Sequence, residues 1–165
     1  PAGAAAEGYK SATFSNAGTD YPVIKEIMTH VYDKGNGSGK ENVGQVLYNR
    51  SVLTQVFIHQ AILDAQKKYG VKSITGEQLR WALENLKMDA ATYEKMGVGG
   101  IAAEIAPTCE DHVGGGSFFI QQWDGKKWNV VSDTITPMND LVVPAMQESA
   151  ANYLKDKGLE AVSCN

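Results

Sequence analysis

The sequence predicts an α/β chain, rich in helix and with few strands. Three features carry that assignment. Val43–Tyr69 holds apolar residues at three- and four-residue steps, with no proline and no glycine after Gly44. Three short stretches, 9–14, 117–123 and 127–131, read as strands between turn residues. Around them lie further helical patterns with their own start and stop signals.

Taken in order, the alanine-rich stretch from Pro1 to Glu7 predicts the remnant of a helix, ended by Gly8, and Tyr9–Phe14 a strand. Asp20 is the expected N-cap of an amphipathic helix running through Val23, Ile27 and Val31 to about Lys34, with Pro22 in its first turn and Gly35 closing it. In the long stretch, Val46, Leu53, Phe57 and Ala61 form one stripe, widened by Val52, Val56, Leu63, Ile58, Ile62 and Tyr69. A helix of roughly 25 residues would be about 37 Å long. Its apolar arc is too broad for one-sided burial, so contacts on more than one side are expected.

Thr75 with Gln78 matches a capping box for a helix carrying Leu79, Trp81, Leu83 and Leu86, and Asp89 caps a short helix through Tyr93 to Met96. Ile101–Ala106 fits either a short strand or coil. Asp124-Gly125 predicts a hairpin turn between the last two strands. Trp123 and Trp128 flank it as packing residues. Asn139 is the expected cap of a final helix to Lys157, closed by Gly158, with Pro144 forcing a late start or a kink.

The 165 residues suffice for one domain with its own core, and 15 basic against 19 acidic residues, none clustered, exclude a nucleic-acid surface. No apolar run reaches bilayer length. The chain begins at Pro1 rather than methionine, so the natural N-terminus is expected upstream and the lack of a leader says nothing of compartment. Cys109 and Cys164 are either two unrelated thiols or a disulfide.

Several motifs suggest chemistry and fail on inspection. Gly35-Asn36-Gly37-Ser38-Gly39-Lys40 follows a helix rather than a strand and lacks the Gly-Lys-Ser/Thr ending of a phosphate loop, so it reads as a connector. Cys109-Glu110-Asp111-His112 offers four potential ligands, but adjacent residues do not converge on one ion, and a polar loop is the expectation. No nucleophile elbow and no His-Glu-x-x-His is present. Neither a metal nor a cofactor is expected. Tyr48-Asn49-Arg50, near the start of the long helix, is the most informative trio. It reads equally as core plus an ion pair of Arg50 with Glu41, or as a ligand contact where free N–H groups and the helix dipole favour a carboxylate.

Ala5-Ala6-Glu7-Gly8-Tyr9, the Tyr48-bearing helix, Ile74-Thr75-Gly76-Glu77-Gln78-Leu79-Arg80 and Phe119-Ile120-Gln121-Gln122-Trp123-Asp124-Gly125 occur in a familiar order. Together they resemble the C-terminal half of periplasmic substrate-binding proteins of ABC transporters, the branched-chain amino-acid type, over nearly the whole chain. Each motif alone is weak, and their order and spacing carry the resemblance. It implies a portion of a two-lobed periplasmic-binding-protein (type I) fold. Residues 1–42 would belong to the C-terminal lobe and 43–113 to the helical part of the N-terminal lobe. Residues 114–165 would form the final hairpin and a C-terminal helix returning to the C-terminal lobe. Three strands are too few for two doubly wound sheets, so the chain is expected to be a fragment. Its sheet edges would be covered by a missing N-terminal half or by a swapped copy of itself.

The resemblance further implies a non-enzymatic solute-binding component of an ABC importer, periplasmic, with a membrane permease as partner. A small polar metabolite, an amino acid or a small carboxylate, would sit in the interlobe cleft. A ligand-sensing domain of a receptor on the same fold is the alternative. In the family an aromatic residue at the start of the long helix touches the ligand, and Tyr48 matches it; Asn49 and Arg50 extend that site by proximity. Export would favour the Cys109–Cys164 disulfide, which could pin a tail that exceeds the family's simplest pattern after about Ser132.

Overall fold

The computed structural model describes residues 3–164. A 3-10 turn, Gly3–Ala6, stands where a helix remnant was expected, and Pro1 and Ala2 lie outside the described residues. Strands β1 (Lys10–Thr13), β2 (Phe119–Trp123) and β3 (Trp128–Val130) form an antiparallel sheet in the order β1-β2-β3. Its register sets Lys10 against Gln122 and Thr13 against Phe119, which joins segments more than a hundred residues apart. Trp123 pairs with Trp128, their rings 5.5 Å apart, and Tyr9 packs edge-on against Trp128 at 6.1 Å. The hairpin turn is longer than Asp124-Gly125 alone and takes in residues 124–127. Backbone N–H of Lys127, the Asn129 amide and backbone N–H of Lys126 donate to the Asp124 carboxylate and hold its pKa down at about 2.

Between the strands lie four helices: α1 (Pro22–His30), α2 (Val46–Tyr69), α3 (Gly76–Glu84) and α4 (Ala90–Lys95). Helix α1 corrects the expected cap. Tyr21 is the N-cap residue and makes no side-chain capping bond, while Asp20 sits 3.8 Å from Lys25 instead. Proline at the first helical position has no N–H to satisfy and a φ already suited to the helix, so the carboxylate cap is dispensable. The helix also ends earlier than expected, at His30; Tyr32–Lys34 is a 3-10 turn closed by Gly35 at φ 73°. The capping box of Thr75 and Gln78 and the Asp89 cap of α4 form as expected. Ile101–Ala106 is coil, tied by one bridge between Met88 and Ile105.

The main core joins Leu53 of α2 to Leu86, Met88, Tyr93, Val98 and Ile101. A second cluster, Ala61, Ala65 and Ala82, lets α2 and α3 approach closely. The α2 helix therefore packs on more than one partner, yet part of its broad arc is uncovered: Leu47 is 71% and Leu63 43% exposed. Among the described residues no helix is long and apolar enough to cross a membrane.

A fifth helix, α5 (Asn139–Lys157), carries no buried residue. Asn139 is its first residue rather than its cap. Met138 is the N-cap, and the Asn139 amide donates to the Gly115 carbonyl at 3.4 Å. The helix does not start late, and Pro144 lies inside it; Gly158 closes it in the left-handed region, at φ 61°. Cys109 and Cys164 are joined in a disulfide, with Cα atoms 5.5 Å apart and a separation of 55 in sequence.

Closing a loop of that size is worth roughly 4 kcal/mol in the chain-entropy model. Much less is expected here. The segment after α5 is exposed, so reduction frees it in the folded state as well as in the unfolded one. Reduction should make amides of 139–164 exchange fast while shifting the urea midpoint of the core only slightly. A stability loss near the full loop value would show that the tail is held by more than the bridge.

Candidate functional site

The start of α2 is where loop, helix and core meet. Gly44 turns the chain at φ 85°, and its carbonyl accepts the N–H of Gly18 at 2.8 Å. A Cβ at Gly44 would lie 2.6 Å from the Thr19 methyl, so glycine is required for both backbone conformation and space. This turn delays α2 to Val46 and brings the loop after β1 against its first turn.

Asn49 is fully buried. Its amide donates to the carbonyls of Asn16 and Gly18, each at 3.0 Å. Asn16 extends the junction: its amide donates to the Gly100 carbonyl at 2.8 Å and its N–H to the Ile101 carbonyl at 2.7 Å. The Oδ1 atoms of Asn16 and Asn49 are both buried and accept no hydrogen bond from the described residues. Asn49 thus acts through the 16–18 loop, which it clamps to α2 and, via Asn16, to the core.

Tyr48 and Arg50 point elsewhere. Successive helical residues diverge by about 100°, so three neighbours cannot face one ligand. Tyr48 is half-buried and lines an open groove of ≈ 540 Å³ with Asn42, Gln45, Leu47, Ser51, Val52 and Gln55. Its phenol accepts a long bond, 3.4 Å, from the Tyr32 hydroxyl. Burial pushes the Tyr48 pKa up to about 12, so the group is a neutral hydrogen-bonding hydroxyl near neutral pH. Arg50 is exposed, outside that groove, and makes no ion pair with Glu41 or any other described carboxylate.

The residues sequence reasoning missed are Gln45, Ser51 and Gln55 beside Tyr48, and Asn16, which Asn49 holds. Tyr48, Ser51, Val52 and Gln55 have the spacing of one helix face, a signal that was present in the sequence. Asn16 had none, because its role depends on a fold-back across more than thirty positions.

The Cys109–His112 segment is occupied by other bonds. Cys109 is in the disulfide, and the Asp111 carboxylate accepts the N–H groups of Val113, Gly114 and Gly115. His112 lies 3.3 Å from Glu84, which Arg80 also contacts at 2.7 Å. Arg80 first, then His112, hold the Glu84 carboxyl below its usual pKa. These three line a mostly apolar groove of ≈ 620 Å³ together with Leu79 and Leu83 of α3, Phe57 of α2, Leu86, Ile105 and Pro107. Among the described residues no three His, Cys, Asp or Glu side chains are placed to hold a metal ion.

No protein-family model and no curated protein matches the chain. Two solved structures do. Over its whole length the chain superposes with a TM-score of 0.91, at 37% identity, on a protein described as an ABC transporter permease from the Pseudomonas fluorescens group, covering 40% of that chain. Over 81% of its length it superposes with a TM-score of 0.61, at 25% identity, on a branched-chain amino acid ABC transporter from Thermus thermophilus with bound valine, covering 35% of that chain. The chain spans less than half the length of either neighbour. Its fold is α/β, helix-rich with one small sheet, and is a portion of the type I periplasmic-binding-protein architecture.

Proposed function

We propose that the chain is part of the solute-binding component of an ABC importer, and that it works in the periplasm without covalent chemistry. The observation that carries this reading is the full-length superposition on one ABC-transporter protein, joined by the likeness to a second that holds valine. The solute is a small polar metabolite, an amino acid or a small carboxylate, and the membrane partner is the permease that receives it.

Tyr48 is the residue through which this chain meets the ligand. It lies in an open groove at the first turn of α2, where a protonated phenol and the polar ends of Gln45, Ser51 and Gln55 offer hydrogen bonds without placing a charge there. The opposite wall of the cleft comes from the remainder of a longer polypeptide, or from a swapped copy, which also covers the free edges of β1 and β3. Ligand that touches both walls only when they are closed biases a hinge equilibrium toward the closed state. Arg50, exposed and outside the groove, would reach the ligand only across the closed cleft. Asn49 positions the site from beneath.

The test uses the full-length protein with a panel of amino acids and small carboxylates, read by thermal shift and calorimetry. Tyr48→Ala is expected to weaken the best ligand about tenfold, the loss of one good contact, while leaving the ligand-free melting temperature nearly unchanged. Arg50→Ala should have a smaller effect of the same sign. Unchanged affinity in both variants would remove the trio from the site. No response to any compound in the panel would remove the transporter reading itself.

A further inference from the structure

The two sulfurs of the Cys109–Cys164 disulfide have different surroundings. Cys109 is half-buried, in the loop that follows the Met88–Ile105 bridge. Cys164 is exposed, in coil beyond Gly158 where α5 has ended. A thiol arriving from solvent therefore meets Cys164 first, and access is one of the terms that decide which sulfur is attacked.

The contacts of Cys109 favour the same direction. Arg80 of α3 donates from Nη2 to the Cys109 sulfur at 3.7 Å. Glu84, one helical turn further on, accepts from Arg80 Nε at 2.7 Å and holds the guanidinium in place. Its carboxylate offsets part of the charge, and His112 draws on that carboxylate in turn from 3.3 Å. Of the acids that follow Cys109 in sequence, Asp111 is turned into the N–H groups of Val113, Gly114 and Gly115, and Glu110 is exposed. A cation in contact with a sulfur stabilises its thiolate, and the sulfur that makes the better thiolate is the better leaving group. Among the described residues no cation is bonded to the Cys164 sulfur.

We propose that Cys109–Cys164 is a thiol–disulfide exchange site of fixed polarity, at which a thiol reductant attacks Cys164 and Cys109 leaves. The thiolate of the reductant forms a bond to the Cys164 sulfur. The Cys109–Cys164 bond breaks, and its electron pair goes to Cys109 as a thiolate beside Arg80. A second thiolate of the reductant then attacks the reductant sulfur of the mixed disulfide, and Cys164 leaves. The reductant ends as its own disulfide, and the two protons its thiols lost end on Cys109 and Cys164. The product keeps α5 tethered at its start, by the Asn139–Gly115 hydrogen bond, and free at its end. This inference is independent of the transport reading, since it uses neither the Tyr48 groove nor a solute.

The test exposes the native full-length protein to short pulses of reduced glutathione near neutral pH, quenches with acid and maps the adducts by peptide mass. Glutathione is expected on Cys164 with a free thiol at Cys109, about tenfold over the opposite adduct. Arg80→Gln should slow the first step about threefold, Arg80→Lys should recover part of the rate, and Glu84→Gln should speed it. Loosening of the loop alone would expose the bond and speed the step in both Arg80→Gln and Glu84→Gln, so opposite signs separate a charge effect from a structural one. Four results overturn the proposal. They are glutathione on Cys109 as often as on Cys164, an unchanged rate in Arg80→Gln, the same sign in both variants, and a bond that reacts only in denaturant. None of them bears on solute binding, so the two readings fail separately.

Discussion

Asn49→Asp is expected to destabilise the chain by about 4 kcal/mol near neutral pH, from two lost hydrogen bonds and a buried unpaired charge. The side chain is fully buried, and its two amide hydrogens go to the carbonyls of Asn16 and Gly18. A carboxylate at that point has no hydrogen to give and faces two carbonyl oxygens. Burial and this repulsion raise the folded-state pKa of the new acid above its unfolded value of about 3.9.

The sign of the pH dependence follows. Below the unfolded pKa the acid is protonated in both states, and its O–H can donate to one of the two carbonyls, so much of the loss is absent. As pH rises from there through the raised folded pKa, stability falls and then levels off. Asn49→Ala lacks this titration and should cost about 2–3 kcal/mol at every pH, for the two hydrogen bonds and the space left behind. Urea unfolding of both variants at about pH 4 and about pH 7 separates the cases. If Asn49→Asp is no worse than Asn49→Ala at the higher pH, the site is wetter than its burial indicates.

Ile101→Ala is expected to cost about 3–4 kcal/mol, in the range for removing a large aliphatic side chain from a filled core. Ile101 is fully buried among Leu86, Met88, Tyr93 and Val98, and its carbonyl accepts the N–H of Asn16. The same substitution therefore loosens the loop that Asn49 clamps. Combined with Asn49→Ala it should show coupling, with the double variant losing less than the sum because both act on residues 16–18. Simple additivity in denaturant melts would mean that core and loop are independent. A cost below about 1 kcal/mol would mean that the cluster can collapse around the gap.

Much of the helical layout could be read directly. The Thr75–Gln78 capping box and the Asp89 cap are contacts over three positions, written in neighbouring residues. The long α2 appears where its three- and four-residue apolar steps put it. The misreadings at Asp20 and Asn139 share one cause. A capping residue type beside a helix start is permissive, and proline at the first helical position or a competing carbonyl such as Gly115 decides whether it caps. The start of α2 was placed too early because the turn at Gly44 serves the loop at Gly18, a partner distant in sequence.

The candidate site divides along the same line. The place of Tyr48 near a helix start was legible, while the choice between core and open groove was left even by the sequence and was made by the fold. Asn49 as a buried clamp was not, because the carbonyls it binds belong to a loop more than thirty positions away. Arg50 shared the reading of its neighbours only through adjacency, which a helix turns into divergence.

Residue order alone was sufficient for what short-range forces specify: helix type and period, the two working caps, the turn glycines, and the apolar stripes that need a partner. Folding in three dimensions settled everything that needs distant segments to meet. It paired β1 with β2 across more than a hundred residues, joined Cys109 to Cys164, and buried Asn49 under Asn16 and Gly18. The reason is physical. A local contact forms from neighbouring torsions with little loop entropy to lose, whereas a distant one forms only when the burial of a whole core offsets the cost of closing the chain.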